Sequence, residues 1–277
     1  MDNYVGYFIA QKRKELGYTQ QKLADKLNIS FQAVSKWENG TSTPDIALLP
    51  HIARILNTSV DALVGYHPLP KTAYEEKYKD EKYYWGITPS KLCYEIMKLK
   101  PPIKPYRVLD IGCGEGKNAV FLAKNGYAVS AFDIAEAGLV KARKLAEHNH
   151  VEIDFFKADI NDYMPLERFD IIFSSGVFHY LTPNLRKLFI NQLKKCTSVH
   201  GINVINVFVN KPFIAEAPDL EDIEKQTEPW YSGELFHYYH DWLFHQNDET
   251  IFDCSSGGVP HKHCMDILIA EKMEEDQ

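Results

Sequence analysis

The feature that most constrains this 277-residue chain is an alternation of short apolar runs with amphipathic ones from Tyr106 onward. The pattern predicts strands at Arg107–Ile111, Ala128–Phe132, Glu152–Phe156, Asp170–Ser174 and Ile202–Val209. Between them it predicts helices at Lys117–Asn125, Ala135–Glu147 and Asn184–Cys196. Such alternation implies a mostly parallel sheet covered on both faces. Two further runs, Thr250–Cys254 and His263–Ala270, flank Ser255-Ser256-Gly257-Gly258-Val259-Pro260 and predict a closing antiparallel hairpin.

The first predicted strand runs into Asp110-Ile111-Gly112-Cys113-Gly114-Glu115-Gly116-Lys117-Asn118. Glycines let a backbone turn tightly and approach a ligand, and the following helix aims unpaired N–H groups at it. Asp133 closes the second strand, 21 residues after Gly112, where a carboxylate accepts bonds from both ribose hydroxyls. Asp159, after the third strand, is placed to accept from an adenine amino group. The glycines are spaced G-x-G-x-G; a dinucleotide fingerprint would be G-x-G-x-x-G.

With Asp110 closing the first strand, this motif resembles that of class I S-adenosylmethionine-dependent methyltransferases. The resemblance implies S-adenosylmethionine as cofactor and S-adenosylhomocysteine as product. It places Asp110, Gly112, Cys113, Gly114, Asn118, Asp133, Ile134, Asp159, Ile160 and Ser174 around that cofactor. A narrower likeness follows from Leu109–Asn118 with Phe121-Leu122-Ala123 and Asn125-Gly126-Tyr127, and from Gly233-Glu234-Leu235 with Tyr238-Tyr239 and Trp242. These residues resemble the tellurite-resistance methyltransferases of the TehB type over roughly residues 74–272.

Methyl transfer from a sulfonium needs alignment and exclusion of water. A hydroxyl acceptor needs a base, whereas a thiol, selenium or tellurium species needs little beyond placement. Ser174-Ser175-Gly176-Val177-Phe178-His179-Tyr180 follows the fourth strand at the edge where ligands sit in such sheets. It lacks an Asn-Pro-Pro-Tyr motif, which counts against methylation of DNA bases. His179, His261 and His263 are the candidate catalytic residues. Tyr84, Trp85, Tyr180, Trp230 and Tyr238 are candidate substrate contacts, and an insertion over residues 211–248, rich in aromatics and histidines, is expected to form a lid. Cys254, His261, His263 and Cys264 are soft donors close in sequence, but their spacing matches no strong zinc pattern, so no metal is expected.

Ahead of this domain, five short helical patterns fall within residues 1–67. Thr19, Ser30 and Ser59 offer N-caps, Gly17 and Gly40 offer stops, and Ile46, Leu49, Ile52, Ile55 and Leu56 read as a buried face. Two helices joined by Asn28-Ile29-Ser30 have helix-turn-helix geometry. Gly17-Tyr18-Thr19-Gln20, Leu23-Ala24, Val34–Gly40, Pro44 and Ser59–Leu63 resemble the Cro/C1-type (XRE) repressor fold. That resemblance makes Phe31–Asn39 the recognition helix. Gln32 would read adenine, Phe31 or Ala33 a thymine methyl, Gln20 a phosphate, and Lys36 another phosphate or a guanine. It also implies a homodimer on DNA.

The organisation expected is therefore an all-α helix-turn-helix domain (1–67), a linker and cap (68–104), and an α/β Rossmann-like methyltransferase domain (105–277). Tyr66-His67-Pro68-Leu69-Pro70 reads as a stiff connector, and the aromatic stretch around Tyr83-Tyr84-Trp85 as a cap over the ligand pocket or as packing between the domains. The net charge of −7 divides unevenly: residues 1–67 carry seven Lys/Arg against six Asp/Glu (+1), the remainder 24 against 32 (−8). DNA would dock on the less acidic part. No apolar run reaches the ~20 residues of a membrane span. The first ten residues lack a signal-peptide pattern, and the five cysteines are scattered, so a reducing cytoplasm is expected.

Overall fold

The computed structural model describes residues 4–65, 72–215, 228–255 and 259–275. The chain forms two compact units, Met1–Pro68 and Leu69–Gln277. The Pro68 and Pro70 connector lies outside the described residues.

The first unit holds α1 (Tyr4–Glu15), α2 (Gln20–Leu27), α3 (Phe31–Glu38), α4 (Leu49–Ile55) and α5 (Val60–Leu63). Local chemistry sets the starts: Thr19, Ser30 and Ser59 each accept a backbone N–H of the helix they precede. Asn28 in the left-handed region ends α2 and turns the chain into α3. Ile9, Leu23, Val34, Ile52, Leu56 and Leu63 meet in one core. Arg13 and Glu38 close it from one side with a two-pronged ion pair at 2.6 and 2.8 Å. Ile46, expected in that core, is 83% exposed. It begins a 3-10 turn, Ile46–Leu48, capped by Asp45, whose tighter winding swings it outward and leaves Leu49 to enter the core.

In the second unit α6 (Ala73–Lys77) and α7 (Lys91–Leu99) precede the sheet. Its strands are β1 (Arg107–Ile111), β2 (Ala128–Asp133), β3 (Asp154–Lys157), β4 (Phe169–Ser175), β5 (Thr197–Val209), β6 (Leu243–Cys254) and β7 (His261–Glu271). They lie in the order β3-β2-β1-β4-β5-β7-β6. The first five pair in parallel, while β7 inserts antiparallel between β5 and β6. The helices between strands are α8 (Lys117–Lys124), α9 (Glu136–His148) and α10 (Pro183–Cys196), with α11 (Glu234–Tyr238) before β6.

Successive side chains on a strand point to opposite faces, and this builds two cores. Val108, Ala131, Ile171 and Val204 pack with α7, α8 and α9. Leu109, Phe132, Ile172 and Ile205 pack with α10 and α11. Both faces are covered, as the alternation predicts. The strands are thus fixed at their middles, and the turns at their carboxyl ends are left to form a site. No described helix is long and apolar enough to cross a membrane.

Candidate active site

The turn after β1 contains Gly112, Gly114 and Gly116 at φ of 71°, 54° and 85°. A Cβ on Gly112 would lie 2.2 Å from a methyl of Val177, and one on Gly116 2.7 Å from the Cβ of Ala142. Two of the glycines are therefore required by the close approach of the chain's own β4 turn and α9. Gly114 donates its N–H to Asp133 Oδ2 at 2.8 Å.

Asp133 accepts from Ala135 N–H as well, at 2.9 Å. Burial lifts its carboxyl to about 6 against the pull of the Ala135, Gly114 and Ile134 N–H donors, with Glu75 adding to the lift. Asp110 is buried, and its Oδ2 has no hydrogen-bond partner among the described residues. Burial first, and the Asp133 charge second, push it to about 8. The thiol of Cys113 is buried between these acids and pushed up by burial and their charges. Asp159 accepts at Oδ1 from the backbone and side-chain nitrogens of Asn161, at 2.8 and 3.1 Å. Asn161 also donates to Tyr180 O and accepts from Thr182 N–H, tying the acid turn after β3 to the turn after β4. Ser174 donates to Ile111 O at 3.0 Å and locks β4 to β1, and Ile160 is buried beside Asp159 while Ile134 is half-buried after Asp133. Asn118 is buried in the first turn of α8, where its amide oxygen accepts from Ser90 N–H at 2.8 Å and fixes the start of α7.

The aromatic stretch before the sheet lies over the glycine turn. Glu115 accepts from Trp85 N–H at 3.2 Å and from Lys141 Nζ at 2.6 Å, and Lys117 Nζ donates to Trp85 O at 3.1 Å. Trp85 Nε1 donates to the Tyr78 hydroxyl, which lies 3.0 Å from where a Gly114 Cβ would stand. Burial and the Asp133 charge raise the Tyr78 phenol well above its ordinary value. Tyr84 meets Trp85 edge-on at 4.8 Å and is half-buried, whereas Trp85 is exposed. Tyr78 and Glu115 were not singled out from sequence. The close Gly138 on α9, whose Cβ would lie 2.8 Å from the Tyr78 ring, was the available signal.

At the carboxyl ends of β4 and β5 the histidines line up. The His179 ring lies 4.1 Å from Tyr180 and 4.9 Å from Phe208, and Phe208 lies 4.7 Å from His263. His261 Nε2 stands 2.8 Å from His263 Nε2. Cys254 joins this pair: the ligand atoms of Cys254, His261 and His263 all lie within 4.8 Å of one another. The sequence places these soft donors close together without a zinc-type spacing, and the β6–β7 register sets Cys254 opposite His261.

Trp230, expected against the substrate, is instead packed inside: it is 1% exposed, its indole donates to Phe178 O at 2.8 Å, and Arg186 lies over its ring. It braces the turn that carries His179. The described residues of the 211–248 insertion, expected as a lid, are largely part of the core and of β6. Trp230, Leu235 and Tyr239 belong to the core, and from Leu243 the chain is already β6, where His245 pairs with Glu271 at 2.6 Å. Residues 216–227 lie outside the described residues. Tyr238 is half-buried, edge-on to Trp230. Gly233-Glu234-Leu235 is structural too, with Glu234 accepting from the buried Arg186 at 3.0 Å.

In the first unit, Phe31, Gln32 and Lys36 are exposed along α3 and Ala33 is half-buried. Gln20 instead donates to Glu38 Oε2 at 2.8 Å and joins the Arg13 network.

A family model described as tellurite resistance protein TehB matches residues 72–256. The chain belongs to the TehB family. A helix-turn-helix model matches residues 9–63, ahead of the TehB region. A probable S-adenosyl-L-methionine-dependent methyltransferase TehB of Haemophilus influenzae is 25% identical over 204 residues, covering 73% of this chain and 65% of the relative. The chain thus spans about 65% of the length of that curated TehB relative. The crystal structure of TehB from Haemophilus influenzae superposes with a TM-score of 0.58 at 25% identity, covering 72% of this chain and 65% of that one. A structure titled for the conversion of a disulfide bond into a thioacetal group during echinomycin biosynthesis gives a TM-score of 0.53 at 19% identity, covering 73% of this chain and 90% of the other. That likeness is one of fold. The TehB region of this chain therefore carries the class I methyltransferase fold behind a helix-turn-helix domain.

Proposed function

We propose that the second unit is an S-adenosylmethionine-dependent methyltransferase for a small, soft nucleophile, a thiol or a selenium or tellurium species, in a cytoplasmic protein that carries its own sequence-specific DNA-binding module. One observation carries the cofactor reading: two desolvated carboxyls, Asp110 and Asp133, face one glycine turn at the carboxyl edge of a β3-β2-β1-β4-β5-β7-β6 sheet. The buried Asp110 oxygen calls for a donor. The ammonium and ribose hydroxyls of S-adenosylmethionine are donors of the right kind, and the Haemophilus relative bears that cofactor in its name. Asp133 would receive the ribose hydroxyls, Asp110 the methionine ammonium, and the Asp159–Ile160 turn the adenine. The cofactor supplies an electrophilic methyl on a sulfonium.

The chain's own residues have three tasks. Tyr78 and Trp85 cover the turn and exclude water from it. Trp230 and Asn161 hold the His179–Tyr180 turn against the acid turn after β3. His179, with Tyr180 and Tyr84, would place the acceptor in line. A soft acceptor loses no strongly held proton at neutral pH, so His179 need only orient it.

A second reading is a transcription regulator in which the methyltransferase fold binds ligand with little turnover. Its support is the capped α2–α3 pair with the first turn of α3 exposed, as an operator-reading dimer would use. Methyl-labelled S-adenosylmethionine incubated with a panel of thiols, selenite and tellurite separates the two. Label transferred to one of these acceptors supports the enzyme. Tight cofactor binding with no transfer to any of them supports the regulator.

A further inference from the structure

Cys254 is the last residue of β6 and His261 the first of β7, and the antiparallel register sets them opposite each other. His263 follows two positions along β7, opposite Phe252, and so shares their face of the hairpin. The sulfur and the imidazole nitrogens lie within 4.8 Å of one another, and all three residues are half-buried. Donors around a tetrahedral ion of the zinc type, at roughly 2.0 Å for nitrogen and 2.3 Å for sulfur, stand about 3.3 to 3.6 Å apart. The trio's separations, from 2.8 Å between the two imidazole nitrogens to no more than 4.8 Å, bracket that spacing.

The surroundings suit a ligand set. His261 Nδ1 lies 2.7 Å from Val259 O. A carbonyl only accepts, so Nδ1 carries the hydrogen and Nε2 presents its lone pair to the cluster. Metal-bound histidines are fixed by this kind of outer hydrogen bond. Phe208 and Phe252 pack on the His263 ring at 4.7 and 5.8 Å and give the cluster an apolar wall.

We propose that Cys254, His261 and His263 bind a divalent transition-metal ion of the zinc type, leaving one coordination position open. One thiolate with two imidazoles selects zinc or cobalt over magnesium or calcium. Three protein ligands leave the fourth position to water or to a soft anion. The site stands at the carboxyl end of β5, where Val209 pairs with Cys264, on the sheet edge that carries the glycine turn. Binding rests on the hairpin alone and not on the methyl-transfer reading. Loading the ion deprotonates the Cys254 thiol and shifts the hydrogen of His263 to its Nδ1.

The test is a cobalt(II) titration of the full chain, reduced and stripped with chelator. The expected result is one tight equivalent, the visible bands of tetrahedral cobalt, and a thiolate-to-cobalt charge-transfer band, all displaced by zinc. Cys254→Ser should remove the charge-transfer band. His261→Gln and His263→Gln should each weaken binding by more than about 100-fold. Lys262→Ala should change nothing, because its side chain pairs with Asp253 on the other face. Circular dichroism of each variant establishes that the fold is kept. Octahedral cobalt bands without charge transfer would overturn the proposal. So would a charge-transfer band that survives Cys254→Ser, since the thiolate would then be one of the four buried cysteines.

Discussion

Burial of Asp110 and Asp133 ties stability to pH. Unfolded, both carboxyls lose their protons near the ordinary 3.8; folded, they keep them to about 8 and about 6. Between those values the native state binds more protons than the unfolded chain. The contribution of these groups is therefore complete below the ordinary value and is lost as pH rises through about 6 and then about 8. Asp110→Asn removes the larger part. It should stabilise the ligand-free protein at about pH 8 by on the order of a few kcal/mol, and the gain over the parent should vanish near pH 4. Thermal melts of parent and variant across that range check this, and parallel curves would show that Asp110 ionises freely. In the first unit, Gln32 projects from α3 with its amide exposed. Gln32→Ala should cost about 1 to 3 kcal/mol on a selected operator and leave binding to random DNA unchanged. An equal loss on both would place Gln32 outside base readout.

At the scale of elements, the turn between β1 and α8 is held by packing as much as by any ligand. Gly116→Ala brings a Cβ to 2.7 Å from that of Ala142 at a φ of 85°. The expected loss is about 2 to 4 kcal/mol in chemical unfolding. Adding Ala142→Gly should restore part of it, because the two sites share one contact; strict additivity would deny that contact. The same contrast explains what the sequence revealed. Thr19, Ser30 and Ser59 cap helices through bonds within a few residues, so the front helices were legible. Asp133 was legible because strand, turn and helix lengths fix its distance from Gly112. The closeness of Cys254 and His261 in sequence was visible too, but their facing each other was not, because it depends on the β6–β7 register, which a one-residue slip would undo. Trp230 looked like a ligand contact because its chemistry suits one, yet the face of β5 and α10 needed its bulk. Ile46 fits a helical period, and a 3-10 turn took its place. The Arg13–Glu38 pair left no local trace, since it joins residues 25 positions apart.

For the whole molecule, a basic-leaning DNA-binding unit is joined to an acidic one, +1 against −8. If cofactor occupancy alters operator affinity, thermodynamics requires operator DNA to alter cofactor affinity by the same factor. The strap that begins at Ala73 lies on the glycine turn and is the element such coupling would use. We expect reciprocal shifts of roughly 5- to 150-fold. Paired titrations, operator with and without S-adenosylmethionine and the converse, check it, and superimposable isotherms would show two tethered but independent units. The strand order has another consequence, one of timing during synthesis. β7 is the last strand described, yet it sits between β5 and β6. On the ribosome, β5 leaves the exit tunnel with an apolar flank and one rail of backbone amides unsealed, and β6 then has no strand to join. Both wait until residues 261–271 emerge. The first unit folds long before, so the nascent chain passes through a stage with a finished head and an open-edged body. Such an edge recruits other chains. Truncation between Cys254 and His261 should therefore yield aggregates that chaperones hold, while the helical head stays folded within them.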